Sequence, residues 1–550
     1  MEEEKDMTDM EGLESSVLEM NPELGEFLKD ESRLSGAADT ISFPISERQL
    51  RGVLSSMYAR GTPVTVQGAR TGITGGAVPQ GGHVVNLSRS NRILGMSQDE
   101  ETGRYLLRVQ PGLLLAELNA AIHSGEMASE GWSEASLSAL RAFAAEGKFI
   151  FPPDPTETGA SIGGMASTNA SGACSFYYGP MRRYVRALRL LLADGTALSL
   201  RRSELRAEGR MFRIPCDSGR IVAGELPGYS LPRVKNAAGY FVQDDMDLLD
   251  LFIGCEGTLG VIAELEIELL PRPQHTWGIM VFLPDELEAV GFVGRLRSES
   301  SPGGRGWGGG GVEVGVDQAA LAALEYFDGE GLKLLEKQRR EKSAFAGLPK
   351  ISPEHGSAVY VEYQGSAEQL IEERVMRMVE LLAESGGSEE TTWMATTGPE
   401  LVRLKEFRHA LPEAVNLVID ERRRSHPELT KLGTDMAVPD EALASTMARY
   451  NRDLREAGLE AVKFGHIGDN HVHVNILPRD PADYGRGKEL YAAWAQEVVA
   501  KGGTVSAEHG IGKLKRDFLL RMYGEKGVEE MRRLRRLFDP KGLLNPGNLT

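Results

Sequence analysis

Residues Phe151–Gly179 read FPPDPTETGASIGGMASTNASGACSFYYG, the most informative run in the chain. It is long, almost free of charge and rich in Gly, Ala, Ser and Thr. Side chains this small let backbone N–H groups approach a ligand closely, and the hydroxyls add donors without bulk, which suits a phosphate-bearing cofactor. The run contains no lysine and no G-x-x-x-x-G-K-[ST], so it is not a Walker loop. A flexible Gly/Ser linker would not open on FPPDP or close on FYYG.

On the N-terminal side, Ser46 caps a predicted helix that carries Leu50, Val53, Leu54 and Met57 on one face. A strand over 63–67 follows and runs into GARTGITGG at 68–76, a Gly-rich turn placed where anion cradles commonly occur. Strands are expected at 84–87 and 105–109, with helices opening at Pro111 and Ser133. Beyond the cradle, Asp194 and Gly195 predict a hairpin between 185–192 and 197–200. Residues 202–230 read as an irregular polar surface insertion, and 1–35 as a frayed or helical acidic extension. Pro271 and Pro273 mark a boundary. After it, strands are expected at 276–282, 358–363, 461–464 and 471–477. Helices are expected at 317–326, 367–384, 399–418, 440–457, 487–501 and 528–538, with a flexible Gly-rich loop at 303–311 around Trp307. The fold class is α+β.

Histidine is scarce, ten in the chain, yet four lie between 466 and 509. In GHIGDNHVHVN at 465–475 a tight turn leads into a strand on which His471, His473 and Asn475 share one face by the two-residue period. His466 stands across the turn. Imidazoles gathered in this way suit a divalent cation such as zinc, and SAEHG at 506–510 offers a carboxylate at Glu508 beside His509.

Several of these motifs resemble the FAD-linked oxidase family, the vanillyl-alcohol oxidase (PCMH-type) flavoproteins. The resemblance rests on PPDPTETGASIGGM with TNASG and YG in 152–179, IGCEGTLGVI at 253–262 and FDPKGLLNPG at 538–547, and it extends over nearly all of 22–549. The nearest branch comprises D-lactate dehydrogenases, glycolate oxidase flavoprotein subunits and D-2-hydroxyglutarate dehydrogenases. Beyond the acidic extension (1–35), the resemblance implies a two-subdomain FAD-binding domain (36–272) and an α+β substrate domain (273–519). It also implies a C-terminal segment (520–550) that returns to the flavin. Implied FAD contacts are Gly68, Thr71 and Gly72 in the pyrophosphate loop, then Pro153, Thr158, Ser161, Gly163, Gly164, Ala166, Asn169 and Gly172 in the cradle. Glu256, Gly257, Gly260, Ile262 and Asn545 complete them. Arg70 stands where the family usually has glycine.

For the chemistry, the resemblance implies that His466, His473 and Glu508 bind the metal, Asn475 contacts substrate and His509 is the general base. Arg408, in EFRH at 406–409, matches an arginine that clamps the substrate carboxylate, for which a bidentate guanidinium is well shaped. His471 occupies a position usually held by Asn, and Gly433 one where the hydroxyglutarate enzymes carry a substrate lysine. The implied reaction is oxidation of a small D-2-hydroxy acid to the 2-oxo acid, with hydride passing to flavin N5. Electrons then leave to an external acceptor: an electron-transfer flavoprotein, an iron–sulfur subunit or a quinone. FAD is expected to be non-covalent, because 68–76 contains neither His nor Cys and Cys174 is the one candidate in the cradle.

Composition narrows the partners. With 62 basic and 80 acidic residues the net charge is −18, which argues against nucleic acid or anionic membrane as the main partner. Three cysteines fit neither a disulfide framework nor a C-x-x-C site. No apolar run reaches membrane-spanning length and the acidic start is unlike a signal peptide, so the expected location is cytoplasmic, peripheral to the membrane at most through the acceptor. Three other functions fit the same motifs. They are a non-redox flavoenzyme of the alkyl-glycerone-phosphate synthase type, a non-catalytic flavin-binding subunit and a metal-binding hydrolase.

Overall fold

The computed structural model describes residues 17–299 and 319–550. The Gly-rich stretch 303–311, residues 1–16 and the first two residues of the helix expected at 317–326 lie outside the described residues.

Three sheets organise the chain, and with the helices around them they give an α+β fold. A four-stranded sheet orders Val17–Glu19, Thr40–Ser42, His83–Asn86 and Val64–Gln67; its first pair is antiparallel and the others parallel. The helix Glu47–Arg60 covers it, with the Ser46 side chain accepting from Gln49 N–H and Leu50, Val53, Leu54 and Met57 all buried. A five-stranded antiparallel sheet orders Ile93–Gln98, Tyr105–Val109, Val261–Glu268, Val185–Leu191 and Ala197–Arg201. The hairpin at Asp194 and Gly195 forms its edge.

The third sheet is antiparallel and seven-stranded, in the order Trp393–Ala395, His275–Leu283, Ser357–Gly365, Ala320–Asp328, Ala461–Gly465, His473–Ile476 and Leu432–Gly433. Helices Glu286–Glu299, Gly329–Glu341, Glu368–Glu384 and Gly398–Arg423 pack around it. The cradle joins the two halves of the molecule. Its last helix, Ser175–Tyr178, packs on the 320–328 strand, Tyr178 donates to Gln364 at 2.5 Å, and Gly468 abuts Phe176. The chain then returns to its start: Val64 N–H donates to Leu543 C=O and Asn545 N–H to Val64 C=O, a parallel bridge onto the first sheet.

Four expectations are corrected. The helix foreseen at 317–326 is a strand over Ala320–Asp328, lying between two partners and buried on both faces. A strand of that kind shows no polar alternation, and its Ala/Leu content then reads as helix. Residues 202–230 are not irregular: Met211–Pro215 and Ile221–Glu225 pair as a hairpin that buries Phe212, Ile214 and Val222 against the C-terminal helix Arg516–Phe538. The described part of the N-terminal extension holds a paired strand and a short 3-10 helix, Pro22–Leu28. The strand expected from 471 begins at His473, since His471 forms only a bridge to Ala437. Among the described residues, no helix is long and apolar enough to cross a membrane.

Candidate active site

A cavity of about 340 Å³ opens between the cradle, the 68–76 loop and the C-terminal segment. Gly68, Thr71, Gly72, Ser161, Gly163, Gly164, Glu256, Gly257, Gly260, Ile262 and Asn545 line it, together with Glu508 and His509. Backbone N–H groups of residues 69–74 donate to no partner among the described residues. Unpaired amides along a cavity wall are costly unless a ligand or water accepts from them, and the phosphates of FAD fit that requirement. Gly257 (φ +67°) brings its backbone so near Asn545 that an added Cβ would lie 2.4 Å from Asn545 Nδ2. The amide of Asn545 is itself fixed, accepting from Val66 N–H at 2.7 Å and donating to Glu256 C=O at 2.9 Å.

The remaining predicted contacts stand outside the cavity wall. Asn169 Oδ1 accepts from Arg182 N–H at 3.0 Å, and a Cβ on Gly172 would collide with Asp154 C=O. Thr158 C=O accepts from Ala116 N–H and Ala166 C=O from Gly254 N–H, while Pro153 is buried. These groups hold the cradle's shape. Glu256 also turns its carboxylate to the protein, accepting from Ile511 N–H (2.7 Å) and Gly512 N–H (2.8 Å) and so fixing the loop that carries Glu508 and His509. Arg70 directs its guanidinium to Glu26 at 2.8 Å and over the Phe27 ring.

At the inner wall the imidazoles converge on Glu508. His466 Nε2 lies 3.2 Å, His473 Nε2 3.4 Å and His509 Nε2 3.5 Å from Glu508 Oε1; Lys235 Nζ is 2.7 Å from Oε2. Donors bonded to one ion at about 2.0–2.1 Å in a tetrahedron stand about 3.3 Å apart, so His466, His473 and Glu508 fit a zinc-like cation. The outward nitrogens are also engaged. His466 Nδ1 meets Glu325 Oε1 at 2.6 Å, and His473 Nδ1–H donates to Thr434 C=O at 2.7 Å. Metal-binding histidines are commonly oriented in this way.

Burial opposes a charge on His466, but the Glu325 and Glu508 carboxylates outweigh it and lift the imidazole to about 10. Burial would likewise raise Glu508, yet His466 and Lys235 hold it well below the carboxylate range. For His509 burial prevails over the neighbouring Asp435 and Glu508 and lowers the ring to about 4, leaving a neutral imidazole on the cavity wall.

Asp435, fully buried, ties this region together. It accepts from the backbone N–H groups of Glu508 (3.2 Å) and His509 (3.1 Å), from Ser506 Oγ–H (2.6 Å) and from Lys515 Nζ (2.6 Å). Arg408 approaches from the helix Gly398–Arg423 with Glu325 Oε2 at 3.9 Å, and its guanidinium sits 5.6 Å from the Tyr360 ring centroid. Glu325 thus links Arg408 to His466. Asn475 is buried and its Nδ2 has no hydrogen-bond partner among the described residues. Sequence reasoning missed Glu325, Lys235 and Asp435. Lys235 and Asp435 fall in KNAAGY (235–240) and KLGTDMAVP (431–439), segments with sequence signals, whereas Glu325 was hidden in the misread strand.

The chain as a whole is similar to known proteins. The profile of the FAD-linked oxidase C-terminal domain matches residues 313–549, and that of an FAD-binding domain matches 38–131 and 135–201. The chain is 27% identical over 539 residues to a D-lactate dehydrogenase of Anaerostipes hadrus, covering 95% of this chain and 92% of that protein. It is 24% identical to the glycolate oxidase subunit GlcD of Bacillus subtilis (strain 168), covering 93% and 88%. A solved p-cresol methylhydroxylase shares the fold at TM-score 0.64 and 15% identity, over 100% of this chain and 96% of that one. The two profiles together span more than half of the residues, and the chain belongs to the FAD-linked oxidases, a family of FAD-linked oxidoreductases.

Proposed function

We propose that the protein is an FAD-dependent dehydrogenase of a small D-2-hydroxy monocarboxylate, of the D-lactate or glycolate type. The observation that carries this reading is the convergence of His466, His473 and His509 on Glu508 at the wall of the cofactor cavity. We take 36–272 to hold FAD, 273–519 the substrate and metal, and 520–550 to close over the cofactor cavity. FAD, when bound, accepts the substrate's hydride. A divalent metal such as zinc on His466, His473 and Glu508 supplies Lewis acidity toward the substrate hydroxyl.

His509 removes the hydroxyl proton at Nε2, with Asp435 Oδ2 3.5 Å from Nδ1 to steady the ring. Arg408 pairs with the substrate carboxylate: among the described residues its guanidinium has one carboxylate within 4.0 Å, Glu325, and so keeps donors free. Asn475 Nδ2, buried and unpaired, offers a further donor. We take the cofactor to be non-covalent: none of the residues lining the cavity is a cysteine, the one histidine among them is His509, to which we give the role of base, and Cys174 lies against Asp154 and Glu362. Cys174, Cys216 and Cys255 are dispersed without the spacing of an iron–sulfur site, and we take the electrons to leave to an external acceptor; we assign the protein to the cytoplasm.

A monocarboxylate is favoured over a dicarboxylate. Gly433 stands where a substrate lysine would be needed, and a second buried carboxylate without that cation costs several kcal/mol. Comparison of kcat/KM for D-lactate and D-2-hydroxyglutarate tests this. Preference for D-lactate is expected, and a strong preference for the dicarboxylate refutes it.

A further inference from the structure

A fourth imidazole faces the same carboxylate. His471 is fully buried, its Nδ1 4.0 Å from Glu508 Oε2 and its ring 4.3 Å from that of His473 and 5.4 Å from that of His466. One donor atom from each of His466, His471, His473 and Glu508 lies within 4.8 Å of every other. Among the described residues, the nearest partner of Nε2 is Asp435 Oδ1 at 3.1 Å, and Nδ1 has no hydrogen-bond partner. A buried ring nitrogen left without a partner is unfavourable, so Nδ1, on the side facing Glu508, calls for a partner such as a cation. The outer side of the ring faces Asp435, the carboxylate that also fixes the backbone of Glu508 and His509. That is the position an orienting second carboxylate takes behind a metal-bound histidine.

We propose that His471 is a third imidazole ligand of the divalent cation, so that the protein itself supplies four ligands, His466, His471, His473 and Glu508. The inference rests on the metal reading above and goes beyond it, since this position carries Asn in the resembled family. Three imidazoles and a carboxylate form a complete tetrahedral set for zinc. With four protein ligands on the ion, more of the substrate's positioning would fall to Arg408 and His509.

The test uses the full-length flavoprotein loaded with one equivalent of zinc. X-ray absorption at the zinc edge should count three imidazoles in the wild type and two in His471→Asn. Zinc affinity of that variant, from competition with a chelating dye, should fall by roughly tenfold or more, because changes to outer contacts alone already weaken metal sites by 10- to 100-fold. Retained flavin absorbance certifies that the variant is folded, and should it fail to fold, the imidazole count of the wild type decides alone. Two imidazoles in the wild type, or unchanged affinity in His471→Asn, overturns the role of His471 and leaves the three-ligand site standing. Wild-type protein that takes up no zinc overturns both.

Discussion

Replacing Glu325 by Gln removes one charge and keeps the shape. In the wild type Glu325 Oε1 meets His466 Nδ1 at 2.6 Å, and Glu325 Oε2 lies 3.9 Å from Arg408. The Gln carbonyl still accepts from His466, so a neutral hydrogen bond worth about 1 kcal/mol replaces a charged one worth about 1.5–3 kcal/mol. The difference, about 0.5–2 kcal/mol, acts on one of the imidazoles expected to hold the metal, and at about 1.4 kcal/mol per tenfold it corresponds to roughly 2- to 30-fold weaker zinc binding. That range overlaps the roughly 10- to 100-fold found when outer-shell partners of metal sites are altered. The assay is zinc competition against a chelating dye on protein whose flavin content matches the wild type. Affinity within about twofold of the wild type, with flavin retained, would refute the claim that the Glu325–His466 contact supports a metal ligand.

Three further outcomes follow from the same geometry. His509→Asn should keep flavin and zinc while substrate-driven flavin reduction slows by ~10² to 10⁴, measured by stopped-flow absorbance. Arg408→Lys should raise KM for the hydroxy acid by roughly tenfold or more with flavin content unchanged, because an ammonium cannot reproduce the two parallel bonds of a guanidinium. His83 is buried between the Thr40 and Ser42 hydroxyls, and burial lowers it from 6.5 to about 4. The unfolded chain therefore binds this proton first: the stability is whole above pH 6.5, declines as pH falls, and is fully lost below about 4. By about pH 5 the loss amounts to about 2 kcal/mol, and thermal unfolding of wild type against His83→Gln should show it as a narrowing advantage.

What the sequence made legible was local. The Ser46 cap, the Asp194 and Gly195 hairpin and the small-residue cradle each carry their signal within a few residues, and each is found in the structure. The imidazole cluster was legible because a two-residue period and a tight turn confine His466, His471 and His473 to one small region. Long-range partners were not. Lys235, Glu325 and Asp435 come from three distant segments, and only the closed fold brings them around Glu508 and its histidines. Glu325 was concealed twice, since its strand is buried on both sides and lacks alternation. The 211–225 hairpin did carry a signal, with Phe212 and Ile214 alternating with exposed Met211 and Arg213, but the polar composition around it masked the period.

The central claim is that the cofactor cavity and the Glu508 cluster together oxidise a small D-2-hydroxy acid. Anaerobic mixing of the purified flavoprotein with D-lactate tests it most directly, with flavin absorbance as the readout. The account predicts bleaching by D-lactate and none by L-lactate, with the bleaching slowed by ~10² to 10⁴ in His509→Asn. Flavin that stays oxidised in D-lactate, glycolate and other small D-2-hydroxy acids, in protein carrying its metal, would contradict it.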